Sequence, residues 1–353
     1  MMLRTRKALA WTFSLAVVAA CGDAATQGGS QDNGDAGITD ASVSPADGAI
    51  SDASHADSSS SKDAATDAFV EAAADAGKPV DHSHAALRVM AANTTSGTQQ
   101  SYEGPGIRIF QGINPDVVLI QEFKYAAGTL RNLVDTAFGA SFSYYVETRV
   151  GGIPNGIVSR YPILDSGTWV DASVSDRAFV WARIDIPGPT DLWAISLHLL
   201  TTGITQRDTE AKQLVMNIQA SIPAGDFLVL GGDLNTDATD ELALMDLGAV
   251  VNVAGPYPVD QANNNNTSTN RNRPHDWVLA NPGLDALAVP VLIGASSFQN
   301  GLVFDTRIYT PLAEVSPILS TDSAAAGMQH MPVIRDFMVE SPADGGADAA
   351  DGL

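Results

Sequence analysis

The sequence predicts a layered α/β domain between Leu87 and Val339, and three observations predict it. Short, nearly continuous apolar runs of strand length recur through this region, most of them rich in β-branched residues. Their apolar residues serve both faces, as in strands covered on both sides. Helix-like segments separate several of them, which suggests helices layered on buried strands. In chain order the first run is "LRVMAAN" from Leu87, followed by a helix-like stretch at Gly106–Gly112. "DVVLIQE" from Asp116 comes next, then a second helix over Gly128–Phe138. "NGIVSRYPI", "AFVWARIDI" and "LWAISLHL" begin at Asn155, Ala178 and Leu192. A third helix spans Thr205–Ile222, where Leu214, Val215, Ile218 and Ile222 recur at helical spacing and Thr205 and Asp208 offer a first-turn cap. "FLVLGGDLN", "DWVLA" and "MPVIRDFMV" complete the set, starting at Phe227, Asp276 and Met331.

The flanks have a different character. Arg4, Arg6 and Lys7 precede an apolar run from Ala8 to Ala20, the basic and apolar regions of an export signal. Val18-Ala19-Ala20-Cys21 resembles the bacterial lipoprotein lipobox, so residues 1–21 are expected to be a lipoprotein signal with Cys21 as the lipidated residue. The alternative is an ordinary signal cut after an alanine. Residues 22–86 hold 12 acids and 2 lysines among Ala, Ser and Gly, and cannot bury enough surface to offset chain entropy. They are expected to be a disordered linker, with His55, His82 and His84 solvated in it. The tail 341–353 has the same composition, which places the folded domain at 87–340.

Composition excludes several classes. The chain of 353 residues has one cysteine, so no internal disulfide can staple it. No apolar run reaches the roughly 20 residues of a membrane-spanning helix. The net charge of −22 is spread over linker and domain, which argues against tight, non-specific binding of nucleic acid by charge alone.

The polar residues fall where the apolar runs stop. Asn93 ends the first, Glu122 ends the second, His198 sits near the end of the fifth, and Asp233 and Asn235 end the sixth. Strand ends are held by a stiff scaffold yet reach solvent, which suits a functional site. Asp233, Asn235 and Asp237 have the 1-3-5 spacing of a calcium loop, but Ala238 and Leu244 occupy the positions that need Gly and Glu, so that motif is rejected. The domain's histidines are His198, His275 and His330, and histidine suits proton transfer near neutrality.

The ordered motifs "RVMAAN", "PDVVLIQE", "NGIVSRYPI", "SLHL", "GGDLNTD", "RPHDWVL" and "QHMPV" resemble those of the endonuclease/exonuclease/phosphatase superfamily across nearly all of 87–340. The resemblance implies a four-layer α/β sandwich, two mixed β-sheets packed face to face with helices outside, and metal-dependent hydrolysis of phosphodiesters. It implies Glu122 as the ligand of magnesium, with manganese or calcium as substitutes, and Asn93 completing the shell. It implies Asp233 as the group that activates water, and Asn235 as the one that holds the water or the phosphate. His198 would hydrogen-bond the phosphate, and His330 would be the C-terminal histidine polarised by Asp276. Arg177 in "SDRAF" matches a phosphate-contacting position, with a salt bridge to Asp176 or Asp171 as its alternative. Asn155 is either a substrate-side residue that orients His198 or a turn residue. His275 is expected in a loop or supporting role.

One position departs from the family pattern: Gln329 stands where an aspartate usually precedes the last histidine. An amide oxygen can ligate a metal but adds no charge, so weaker metal binding is expected. The polar stretch Gln261–Arg273, with two arginines, is either a substrate-contacting loop or a disordered insertion. The expected substrate is nucleic acid, cut by a monomeric enzyme that is exported and anchored to a bacterial membrane or cell surface through lipid alone. The alternatives are a sphingomyelinase-like or small-molecule phosphoesterase, and a catalytically weakened binding protein on the same fold.

Overall fold

In the strands of one sheet, side chains alternate between two cores, and that alternation separates the layers there. The computed structural model describes residues 86–97, 100–148 and 152–339, within a unit spanning Lys78–Leu353. The signal, Cys21, nearly all of the linker and the tail lie outside the described residues. In chain order the elements are β1 (Leu87–Ala92), α1 (Gly104–Ile113), β2 (Val117–Ile120), α2 (Leu130–Ala137), β3 (Ser143–Val146), β4 (Gly156–Ser159), β5 (Ile163–Val170), β6 (Ala178–Ile184) and β7 (Leu192–His198). They continue with α3 (Ile204–Ser221), β8 (Phe227–Asp233), α4 (Leu242–Leu247), β9 (Asp276–Ala280), α5 (Pro282–Asp285), β10 (Ala288–Val289), β11 (Val291–Ile293), β12 (Ser296–Phe298), β13 (Leu302–Val303) and β14 (Val333–Phe337).

One large sheet has the order β10-β14-β1-β2-β4-β3, with β13 also pairing β14, the other has the order β5-β6-β7-β8-β9, and β11 and β12 pair as a separate two-stranded ribbon. Both large sheets are mixed: β1/β2 and β7/β8 are parallel, and the other pairs are antiparallel. The sheets face each other, β1 over β8 and β9 and β2 over β7 and β8. Leu192 and Ala194 of β7 join the shared core, whereas Trp193, Ile195 and Leu197 turn outward to meet Leu214 and Ile218 of α3. Burying such side chains stabilises by about 1.5–3 kcal/mol each. Phe110 of α1 and Leu133 of α2 cover the outer face of the first sheet. The result is the four-layer sandwich that the motifs implied. Among the described residues no helix is long and apolar enough to cross a membrane.

Local differences from the sequence reading have local causes. "NGIVSRYPI" is two strands in different sheets: β4 stops at Ser159 and β5 starts at Ile163, with Pro162, which lacks an N–H for a ladder, at the crossover. The half-buried β3 and β5, which has no fully buried residue, are edge strands that an apolar-run criterion passes over. Neither Thr205 nor Asp208 caps α3. The N-cap is Gly203, at φ +102°, without a side-chain bond, and Asp208 instead pairs with Lys212. By contrast, α2 has a reciprocal cap between Thr129 and Asn132.

Candidate active site

Because β1 and β2 run parallel, as do β7 and β8, all four finish at one edge of the sandwich. Antiparallel β9 and β14 begin there. Asn93, Glu122, His198, Asp233, Asp276 and His330 therefore converge although they span much of the chain. The register puts His198 opposite Asp233, and Asp233 opposite Asp276. Gly231 and Gly232 permit this close approach. A Cβ on Gly231 would sit 2.0 Å from the Trp277 carbonyl oxygen, and one on Gly232, whose φ is +129°, 2.2 Å from that of Leu197.

Asp233 is the hub. Its Oδ2 accepts from Asn93 Nδ2 at 3.0 Å and lies 3.2 Å from His198 Nε2 and 3.4 Å from His330 Nε2. Its Oδ1 accepts the N–H of Asn235 at 3.0 Å, while the Asn235 amide donates to the Leu199 carbonyl at 2.9 Å. Behind His330, Nδ1 lies 2.8 Å from Asp276 Oδ2, and Asp276 is itself held by a bond from its N–H to Thr267 Oγ1. Glu122 and Asn235 both adopt left-handed backbone conformations, at φ +53° and +50°, which non-glycine residues rarely enter.

The two histidines differ in protonation. Burial pushes His198 down to about 3, against the pull of Asp233, so it is neutral. Burial also lowers His330, but Asp233 and Asp276 together outweigh it and hold the imidazolium up to about 10. Burial raises the Glu122 carboxyl, against a hydrogen bond from Asn93 at 3.3 Å.

Asp233, Asp276 and His330 are close enough to share a metal ion. Their donor atoms are already engaged with one another, and a protonated imidazole has no lone pair for a cation. Glu122 Oε2 and Asn93 Oδ1 are different: both are buried and have no hydrogen-bond partner. Two unpartnered oxygens, one of them on a carboxylate, fit a hard divalent cation.

These groups open on a cleft of about 770 Å³, lined by Glu122, Arg177, His198, Asp233, Asn235 and His330 among others. Arg177 makes the salt bridge of its alternative reading, to Asp176 at 3.1 Å through Nε, and it also lines the cleft, with Nη1 buried and unpartnered. His275 lines the cleft, its ring 5.5 Å from that of His330. Gln329 lies exposed on the rim, and its carbonyl accepts from Thr269. Asn155 is placed differently from its substrate-side expectation. It is fully buried away from the cleft lining, and its amide donates to the Ala178 carbonyl at 2.8 Å, so it holds the base of β6. The 261–273 stretch is an ordered loop. Arg271 turns inward to Asp260 and Asp305, at 2.7 and 2.6 Å, leaving Arg273 as its arginine on the cleft. Asn270 and Asn272, from the same polar stretch, also line the cleft, as does Thr201, which carried no sequence signal because a polar loop residue has no periodicity.

The model of the endonuclease/exonuclease/phosphatase family matches residues 100–303. The chain belongs to the endonuclease/exonuclease/phosphatase family. The family's members hydrolyse phosphoester bonds and generally use divalent metals. No curated protein sequence matches this family member. A conserved protein of unknown function from Enterococcus faecalis V583 superposes with a TM-score of 0.51 at 13% identity, over 72% of this chain and 100% of that one. The endonuclease/exonuclease/phosphatase from Beutenbergia cavernae DSM 12333 gives 0.49 at 18% identity, covering 73% of each chain. Sphingomyelinase C from Streptomyces griseocarneus gives 0.47 at 16% identity, over 71% of this chain and 99% of that one. At these identities the likeness is one of fold.

Proposed function

We propose that this protein is a divalent-metal-dependent phosphodiesterase that uses magnesium, cleaves nucleic acid, and is exported and anchored through lipidated Cys21. The carrying observation is the convergence of Asn93, His198 and His330 on Asp233, with Asp276 behind His330, where His198, Asp233 and His330 line an open cleft. Glu122 and Asn93 would hold the metal, which supplies positive charge to the phosphate and acidifies a water. His330, already protonated between two carboxylates, donates to the phosphate or the departing oxygen. Neutral His198 and the unpartnered Nη1 of Arg177 supply further donors to phosphate oxygens. Asp233, releasing one of its donors as substrate enters, takes the proton of the attacking water.

A second reading has its own support. Both cleft arginines are already paired, Arg177 with Asp176 and Arg273 with Asp237, and the described lysines, Lys124 and Lys212, lie outside the cleft lining. A polyanion gains its affinity from several phosphate contacts, so this favours a small or lipid-borne diester. The test follows supercoiled plasmid, bis(p-nitrophenyl) phosphate and sphingomyelin with magnesium, with chelator, and with His330→Ala. Metal-dependent nicking that the substitution abolishes supports the nuclease. Hydrolysis of the small diester or sphingomyelin alone moves the activity to the second reading. Inertness of a folded protein toward all three substrates leaves the binding-protein alternative.

A further inference from the structure

Two turns deliver side chains to the cleft, and a buried pair of acids lies where they meet. One turn runs from the end of β5 to Arg177, at the entry to β6. The other follows His198 and leads into α3. Glu210 of α3 has no solvent exposure, and its Oε2 accepts the N–H of Leu200 at 3.1 Å, two residues beyond His198. Asp171, just past β5 and 2% exposed, accepts the N–H of Ser173 through Oδ1 at 2.8 Å. The remaining oxygens, Glu210 Oε1 and Asp171 Oδ2, are buried and receive no donor, and the two carboxyls lie within interaction distance of each other. Two carboxylates only accept, and paired like charges in a dry site are costly. One proton held between them satisfies both oxygens.

We infer that Asp171 and Glu210 share one proton and act as a positioning pair, clamping the turn that carries Arg177 to the turn that follows His198. Gln213, also on α3, reinforces the same join: its amide accepts from the Ala172 N–H and donates to the Val170 carbonyl. The charged groups felt by Glu210 are Asp171, from the end of β5, and Arg177, from the start of β6. Burial foremost, and then Asp171, raises the Glu210 carboxyl to about 8, against the pull of the Leu200 N–H and Arg177. Loss of the proton sets two buried charges against each other and opens the clamp beside Arg177. The kinetic part of this inference rests on the proposed phosphodiesterase activity; the clamp itself does not.

The experiment uses protein carrying ¹³C-labelled glutamate and ¹⁵N-labelled arginine, titrated by NMR from pH 5 to 10, with Glu210→Gln and Arg177→Lys to assign the signals. The Glu210 carboxyl is expected to titrate near pH 8, the Arg177 Nε resonance to follow the same midpoint, and Asp171→Asn to move that midpoint down. In parallel, kcat/KM on bis(p-nitrophenyl) phosphate with magnesium should fall through that midpoint. Glu210→Gln, whose amide can donate to Asp171 and accept from Leu200, should stay active and lose that alkaline limb. Glu210→Ala should lose about 10- to 100-fold. A Glu210 signal in the ordinary carboxylate range overturns the inference. So does an Arg177 resonance that ignores the Glu210 midpoint, or an unchanged alkaline limb in Glu210→Gln. A protein inert on every diester, with Arg177 still following Glu210, removes the proposed activity and upholds the clamp.

Discussion

His198 and His330 approach the same oxygen of Asp233 from the two sheets, and they arrive in opposite protonation states. His198, at the end of β7, has this one carboxylate against complete burial and is driven down to about 3. His330, just before β14, has Asp276 as well and is held up to about 10. One buried carboxylate does not offset the desolvation of an imidazolium here; two do. The β14 side of the cleft is thus a charged proton donor and the β7 side a neutral hydrogen-bonding wall. Under the proposed activity, the two rings would divide the labour of cleavage between them.

The sharpest way to break this contrast is to remove each ring in turn. His330→Ala should lower kcat by about 10²–10⁴-fold, the usual contribution of a positioned acid or base, and His198→Ala should cost less. A larger loss at His198, measured on the same diester, would reverse the assignment. Next in size is Asp276→Asn, which leaves His330 with Asp233 alone. Folding raises His330 above its unfolded value, so its stabilising contribution is complete below about pH 6.5 and is lost as pH rises toward 10. The variant should shrink that loss, on the order of a few kcal/mol in wild type, and a Tm series from pH 6 to 10 reads it. Equal pH slopes in the two proteins would remove Asp276 as the cause.

A smaller effect should appear at the proposed metal ligands. Magnesium should raise the wild-type Tm by a few degrees, as any ligand of the native state does, and Glu122→Ala should abolish the rise. A shift that survives in Glu122→Ala but not in Asp233→Asn would move the cation to the Asp233 group. The smallest effect is expected from Gln329→Asp on the rim: a magnesium titration should show modestly tighter binding through the added charge. Unchanged affinity would place residue 329 outside the metal's reach.

Much of the site was legible because its residues end apolar runs. Asn93, Glu122, His198 and Asp233 mark the points where buried strands end, and parallel pairing of β1 with β2 and of β7 with β8 brings those points to one edge. The rest has no signature along the chain. Arg271 and Arg273 lie two residues apart in a polar loop, and only packing turns the first toward Asp260 and Asp305 and leaves the second on the cleft. Asn155 stands beside a strand motif in sequence, and only packing ties its amide to the Ala178 carbonyl. Asp171 and Glu210 are ordinary acids by sequence; their contact depends on α3 covering the end of β5.

The sequence by itself determined the layered class, through strand runs apolar on both faces, and it determined which residue types stand at strand ends. Tertiary structure decided the crossover at Tyr161–Pro162, the burial of each polar group and the charge of each histidine. The physical reason is range. Apolar pattern is a local property with a period of two or 3.6 residues, whereas the proton on His330 is held by carboxylates on other strands, Asp276 being 54 residues away in sequence and 2.8 Å away in space.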